Sequence, residues 1–557
     1  MINLHLRFRA FLNCLLIGLL FVTACTSQAS PQVNSTAVAP TSTHIAVEII
    51  HTLTPTPSPS PQNTQNTPAA AYQTYDWPQF NGNAQHSGNN TLETRITPAN
   101  VAGLQQLFQV NLPSVADGAP AYLHGVQTAQ GTVDLLFLTT RDGYIAALDA
   151  ATGARVWTQQ YGPNGCLINL GSQPCYTTSS PAIDPSRQFV YSYGLDGYVH
   201  KYQVGDGQEI KGGGWPELAT TKPFNEKGSA SLSIVSAPDG SSYLYVANSG
   251  YLGDRGDYQG HITAINLANG SQRVFNSLCS NQTVHFLQRP GSPDCPNVQS
   301  GIWSRAPVIY DPDTHKIYMV TGNGHFNPGL YDWGDTVFAL NLDGSGANGG
   351  PLDSYTPDNF NQLDVTDQDL GTTAPAILPA PSQSKVQHLA LQSGKDGILR
   401  LINLDNLSGQ GGPGHSGGEV GQTFPLPQGD GVYTQPAVWV NPAGGSTWTF
   451  IASANGISGL KLAVDRGGTP ALQSQWTQPV GGTSPIVVNG ILFYASGNGI
   501  RALDPLTGNQ VWSDPQVARF HWESPIVANG VLYITDENGR LTAYSLNGKL
   551  YTDATTR

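Results

Sequence analysis

The chain has 557 residues with 63 Gly, 40 Pro, only 2 Met and 11% charged residues, a composition that argues against long amphipathic helices and for short strands punctuated by turns. Its formal net charge is −13 and it has no Lys/Arg-rich run, which argues against nucleic acid as a partner.

The first 25 residues contain Arg7 and Arg9, an apolar stretch from Phe11 to Val22, and then Val22-Thr23-Ala24-Cys25. The apolar run is too short to span a bilayer unaided. The small residues before Cys25 resemble a bacterial lipobox, in which Cys25 is lipidated and becomes the mature N-terminus. An ordinary cleaved secretory signal is the other reading. Residues 26–74 are rich in Thr, Pro, Ser, Gln and Asn, with Glu48 as the one acidic residue and no Lys or Arg. Such a segment buries no core, so a disordered, semi-extended tether is expected, followed by a single folded domain over 75–557.

Between Gly118 and Leu546 one pattern recurs eight times: a small residue and Pro, two apolar strands, then Gly, a hydrophobic residue and an Ala-Leu-Asp-like close. The openings include Ala119-Pro120, Ser180-Pro181, Ala306-Pro307, Ala374-Pro375, Gln435-Pro436, Ser484-Pro485 and Ser524-Pro525, with a Pro-less copy at Ala230 to Val235. A period of roughly 40 to 70 residues with four short strands in each predicts an all-β, eight-bladed β-propeller. Each blade supplies its own sheet-on-sheet core, so one domain of this length is acceptable.

The last copy runs out soon after Asn547 without a fourth strand of its own, and Leu104 to Asn111 precedes the first copy as an orphan strand. This N-terminal strand is expected to close the ring by completing blade eight and covering its open edge. Setting aside Cys14 and Cys25 leaves four cysteines, which allow three pairings. Cys166 with Cys175 and Cys279 with Cys295 are preferred, because each pair shares one inter-blade loop. Disulfides fit an extracytoplasmic compartment.

Two copies run on through Ala147 to Trp157 and Ala502 to Trp512, where a Thr-Gly turn leads to a Trp. These residues resemble the tryptophan-docking motif of the quinoprotein, or PQQ-type, propellers, which include quinoprotein alcohol dehydrogenases and an outer-membrane assembly lipoprotein. Asp76-Trp77-Pro78-Gln79-Phe80 resembles the segment with which those propellers begin. The resemblance implies that Trp157 and Trp512 dock between neighbouring blades.

It also implies an axial site. Thr321-Gly322-Asn323, followed by Gly334-Asp335, is similar to the dehydrogenase segment whose Asn binds calcium, which makes Asn323 a candidate ligand. Trp303 corresponds to the Trp on which the quinone stacks, although it stands two residues further from Asp311 than the family's Trp does. Lys395 corresponds to the cation at the quinone carbonyl. Asp367, with Asp369 as the fallback, corresponds to the general base and calcium neighbour. The family's glutamate ligand falls where this chain has Arg255, leaving Asp254 or Asp257 as substitutes if the loop shifts. Each residue also has a plain structural reading as a turn, a strand cap or core. There is no adjacent Cys-Cys pair, and no Cys-x-x-Cys-His haem motif, so electrons would need an external acceptor.

The expectation is a membrane-anchored extracytoplasmic propeller that binds a small molecule or protein through a dehydrogenase-like axial site. The alternative is a PQQ- and Ca²⁺-dependent dehydrogenase oxidising an alcohol or sugar.

Overall fold

Each repeat folds as one antiparallel sheet, because most of its consecutive strands are joined by short links that make local pairing the cheapest to form. In the computed structural model, residues 72–551 are described apart from 163–164, 170, 252–254, 288–293, 498 and 518. The signal segment with Cys25, and the tether as far as residue 71, lie outside them. The Tyr72 hydroxyl donates to Asn529 Oδ1 at 2.9 Å, so packing against the propeller begins by Tyr72. No helix among the described residues is long and apolar enough to cross a membrane.

The strands form eight blades, over 121–160, 182–218, 233–276, 309–355, 376–425, 437–478, 486–514 and 526–546. Blade eight takes its outer strand from Leu104–Asn111, which pairs antiparallel with Arg540–Leu546, from Leu104 opposite Leu546 to Asn111 opposite Arg540. The ring therefore closes with the first and last parts of the domain in one sheet, as the orphan strand predicts. Apolar faces of neighbouring blades meet in separate clusters, for example Phe137, Ile145 and Trp157 of blade one against Val190 and Tyr202 of blade two.

The docking tryptophans do what their motif implies. Trp157 donates from Nε1 to the Val204 carbonyl at 2.8 Å and covers Gly207, where a Cβ would come within 2.5 Å of the indole. Gly207 has φ +71°, so both its backbone conformation and its contact require glycine. Trp512 donates to the Leu104 carbonyl at 3.1 Å and so ties blade seven to the closing strand. Trp476 of blade six, outside the two full motif copies, docks in the same way on Pro505 and Gly508 of blade seven. Cys166–Cys175 and Cys279–Cys295 are both bonded, each within a single inter-blade loop, which places the domain in an oxidising, extracytoplasmic compartment.

The segment from Trp77 to Asn90 winds once inside the ring and meets the first strand of blade after blade. It pairs Trp77 with Tyr122, then accepts from Ile183 N at the Pro78 carbonyl, from Ile234 N at Gln79 Oε1 and from Tyr310 N at the Ala84 carbonyl. It continues with Val438 N at the Ser87 carbonyl, Val487 N at the Gly88 carbonyl, and Asn90 Nδ2 donating to Val527 O. Inner strands that would otherwise leave their first amides bare on the axis are thereby satisfied. His86 is fully buried here between the Phe80 carbonyl (2.6 Å) and Ser233 Oγ (2.9 Å), and burial lowers its pKa to about 4.

Candidate axial site

Above this inner segment, the axis holds a cavity of about 270 Å³, close to the lower end of ordinary ligand pockets. Most of its wall comes from the segments leading into the blades. Thr178, Tyr433 and Trp522 each stand three residues before an opening proline, and Trp303 and Arg305 stand four and two before theirs. Tyr176, Tyr251 and Tyr258 complete a wall of six aromatic rings. The Tyr433 and Trp522 ring centres lie 6.3 Å apart, and Tyr176 meets Tyr251 edge-on at 5.4 Å.

The residues of blades four and five implied by the motif resemblance converge at one side of this cavity. Lys395, in the turn after the second strand of blade five, places Nζ 2.6 Å from Asp367 Oδ1 and also pairs with Asp369 Oδ2. Its ammonium lies 5.6 Å from the centre of the Trp303 ring. Burial pushes the Lys395 pKa down, but the two carboxylates outweigh it and hold it well above the usual lysine range. Asn323 donates its backbone N–H to Asp369 Oδ1 at 2.7 Å and its side-chain amide to Asp367 Oδ1 at 3.1 Å. Gly322 permits this closeness, since a Cβ there would collide with Asp369 and stand 2.9 Å from the Trp303 indole nitrogen.

The two carboxylates are unequal. The short helix Phe360–Thr366 ends at Asp367 in the left-handed region (φ +56°), which turns that side chain outward, 69% exposed. Asp369 points inward, 4% exposed. The sequence puts Asp367 before Asp369, and the structure leaves Asp367 exposed while building Asp369 into the wall of the site.

Of the two glutamate substitutes, Asp257, the described one, does not complete a metal site. Asp257 does not line the cavity; it faces Lys222 at 4.0 Å, beside the buried Lys222–Glu226 pair (2.8 Å). The neighbouring Tyr258 ring lies tight over Gly250 in the cavity wall. Asp254 lies outside the described residues. Ca²⁺ needs six to eight oxygen ligands, whereas here the Lys395 ammonium already bridges both carboxylates. This donor set does not fit a divalent cation. A flat ring fits better, with Trp303 as its stacking face and Lys395 at its edge.

On the far side of the axis, Arg141 donates to Asp117 Oδ2 at 2.6 Å and to Glu537 Oε1 at 2.6 Å, while His521 Nδ1 lies 2.8 Å from Asp117. Burial raises the Asp117 pKa, but His521 and Arg141 outweigh it and hold the carboxyl below its usual value. Asp117, His521 and Glu537 bring ligand atoms within 4.8 Å of one another, but the Arg141 guanidinium binds two of the three. Glu523 is fully buried beside them, and burial, then the charge of Asp117, keep its pKa well above the carboxylate range. Sequence reasoning missed this cluster, together with Lys227, Arg305, Tyr433 and Trp522. The signal that could have found several of them is their fixed place before the opening proline.

Among solved structures, the chain is similar to a quinohemoprotein alcohol dehydrogenase from Pseudomonas putida HK5, with 13% identity, a TM-score of 0.58, and coverage of 86% of this chain and 82% of that one. It is likewise similar to a europium-containing methanol dehydrogenase (14%, TM-score 0.59, 85% and 98%). A third similar structure is the quinohemoprotein alcohol dehydrogenase of Comamonas testosteroni (15%, TM-score 0.56, 86% and 82%). At these identities the likeness establishes the propeller fold alone. No curated protein matches the chain in sequence. A family profile described as outer membrane protein assembly factor BamB matches residues 117–289 and 440–555, leaving Trp303, Asn323, Asp367, Asp369 and Lys395 in the stretch between the matched segments. Those segments span just over half of the chain and six of its eight blades, and the chain belongs to this family of PQQ-type β-propellers.

Proposed function

We propose that the protein is a ligand-binding propeller, tethered to a bacterial membrane through a lipid on Cys25, whose axial cavity takes a small flat ring compound. The observation that carries this reading is the cavity itself, with six aromatic rings around it and a fixed Asp369–Lys395 pair at one wall. Aromatic faces bind a ring without demanding one hydrogen-bond pattern, and the ion pair orients its polar edge. The test is titration of the soluble domain with PQQ and with simple naphthalene compounds, following quenching of tryptophan fluorescence. Saturable quenching that Trp303→Ala abolishes supports the reading, and no saturable binding of any ring compound overturns it. Recovery of a Cys25→Ser variant in the membrane fraction would overturn the lipid tether.

The meeting of Trp303, Asp369 and Lys395 at one cavity favours a second reading, a PQQ-dependent dehydrogenase. In it Lys395 would polarise a quinone carbonyl and Asp369 would accept a substrate proton. Reduction of an artificial acceptor by an alcohol or sugar, only after PQQ is added, decides for it. An inactive protein that still binds PQQ decides for the binding propeller.

A further inference from the structure

The deep part of the cavity has a positive pole that neither reading uses. Arg305 is 3% exposed and stands 5.8 Å from the ring centre of Phe80, in the inner segment beneath the cavity. Its Nη1 donates to the carbonyls of Thr178 (2.9 Å) and Ser229 (3.1 Å), which fixes the guanidinium plane. Its Nε and Nη2 are buried without a hydrogen-bond partner among the described residues. These two nitrogens share one edge of the guanidinium, the edge whose parallel N–H bonds match the two oxygens of a carboxylate. Lys227 is 8% exposed, with its ammonium 4.4 Å from the centre of the Tyr176 ring.

Neither cation forms an ion pair among the described residues, and the nearby acids are committed elsewhere. Asp117 is held by Arg141 and His521, and Glu523 is kept neutral at pH 7. Burial lowers Lys227 to about 8 and Arg305 to about 10, so both remain protonated at pH 7. Two buried charges without a counter-ion are costly in a resting fold, and such a cost is characteristic of a binding site.

We propose that Arg305 and Lys227 form an anion-binding subsite at the deep end of the axial cavity, which takes the carboxylate of a ring compound lying against Trp303. The ring part rests on the reading given under Proposed function; the anion subsite does not. Trp303 and Arg305 stand two apart in the bent segment leading into blade four, and both line the cavity, so one short segment presents a stacking face and a carboxylate fork together. The ligand class is an aromatic carboxylate, entering carboxylate first.

The experiment is calorimetric titration of the purified soluble domain with 2-naphthoate, with its neutral isostere 2-naphthamide, and with inorganic phosphate. The wild type is expected to bind naphthoate at least about tenfold more tightly than naphthamide, as a charge-assisted bidentate contact requires. Arg305→Gln should collapse that ratio to near one while leaving naphthamide binding unchanged. Lys227→Met should reduce it without disturbing the Arg305 bonds to Thr178 and Ser229, which covers the case in which Arg305→Gln fails to fold. A wild-type ratio near one, or a ratio intact in either folded variant, overturns the proposal. If neither naphthalene compound binds but phosphate binds the wild type and not the variants, the anion subsite stands and the flat-ring reading falls. If nothing binds, both fall.

Discussion

Asp369→Asn is expected to destabilise the propeller by about 3 kcal/mol and Asp367→Asn by less than about 1 kcal/mol, although both carboxylates touch the same lysine. The Asp369 side chain is 4% exposed, accepts the backbone N–H of Asn323 at 2.7 Å, and pairs with Lys395. An Asn amide there must turn its NH₂ toward either the Asn323 N–H or the Lys395 ammonium, leaving a buried donor against a donor. Breaking a buried pair from one side costs about 3 to 5 kcal/mol, and the low end applies because Lys395, 18% exposed, keeps Asp367 at 2.6 Å. Asp367 is 69% exposed and caps a helix at φ +56°, a conformation Asn tolerates as readily as Asp. Urea unfolding followed by both tryptophan fluorescence and circular dichroism checks this, the two probes testing whether a single transition is present. Equal losses for the two variants, or a larger loss for Asp367→Asn, would refute the argument that burial ranks the two carboxylates.

Trp157→Ala should cost about 3 to 5 kcal/mol, and Trp157→Phe only about 1, since Phe restores most of the packing and loses the hydrogen bond to Val204; chemical denaturation separates the two. Deleting residues 104–111 strips the edge at Arg540–Leu546 and the acceptor of Trp512, so light scattering should show aggregation of the deletion variant at concentrations where the parent stays monodisperse. Glu523, raised by burial and then by Asp117, keeps in the folded state a proton that the unfolded chain releases above its ordinary carboxyl value of 4.5. Its contribution to stability is therefore full below that pH and is lost as pH rises toward the folded-state value. Glu523→Gln removes this slope, so thermal melts should show the variant gaining on the parent from about pH 5 to about pH 8, and parallel curves would contradict it.

The blade count, the closing strand Leu104–Asn111 and the two disulfides were legible in the sequence from repeats, a missing strand and short loops, and the docking of Trp157 and Trp512 through the motif resemblance. Adjacent strands pair across short turns, each disulfide closes one loop, and a strand missing at one end of the repeats is recognisable at the other. The convergence of Trp303, Asn323, Asp369 and Lys395 was legible only through the motifs that carry them. Which carboxylate is buried was not, since that depends on where a seven-residue helix stops and on the left-handed turn at Asp367. Nor did spacing reveal that Asp257 faces Lys222, that residues 77–90 wind through the ring, or that Arg305 and Lys227 lie buried on the axis. The axis is lined by single residues from segments tens to hundreds of positions apart, brought together only when the first and last strands join in blade eight. Burial, charge pairing and access there belong to the closed ring, and no stretch of sequence short enough to show a pattern contains them.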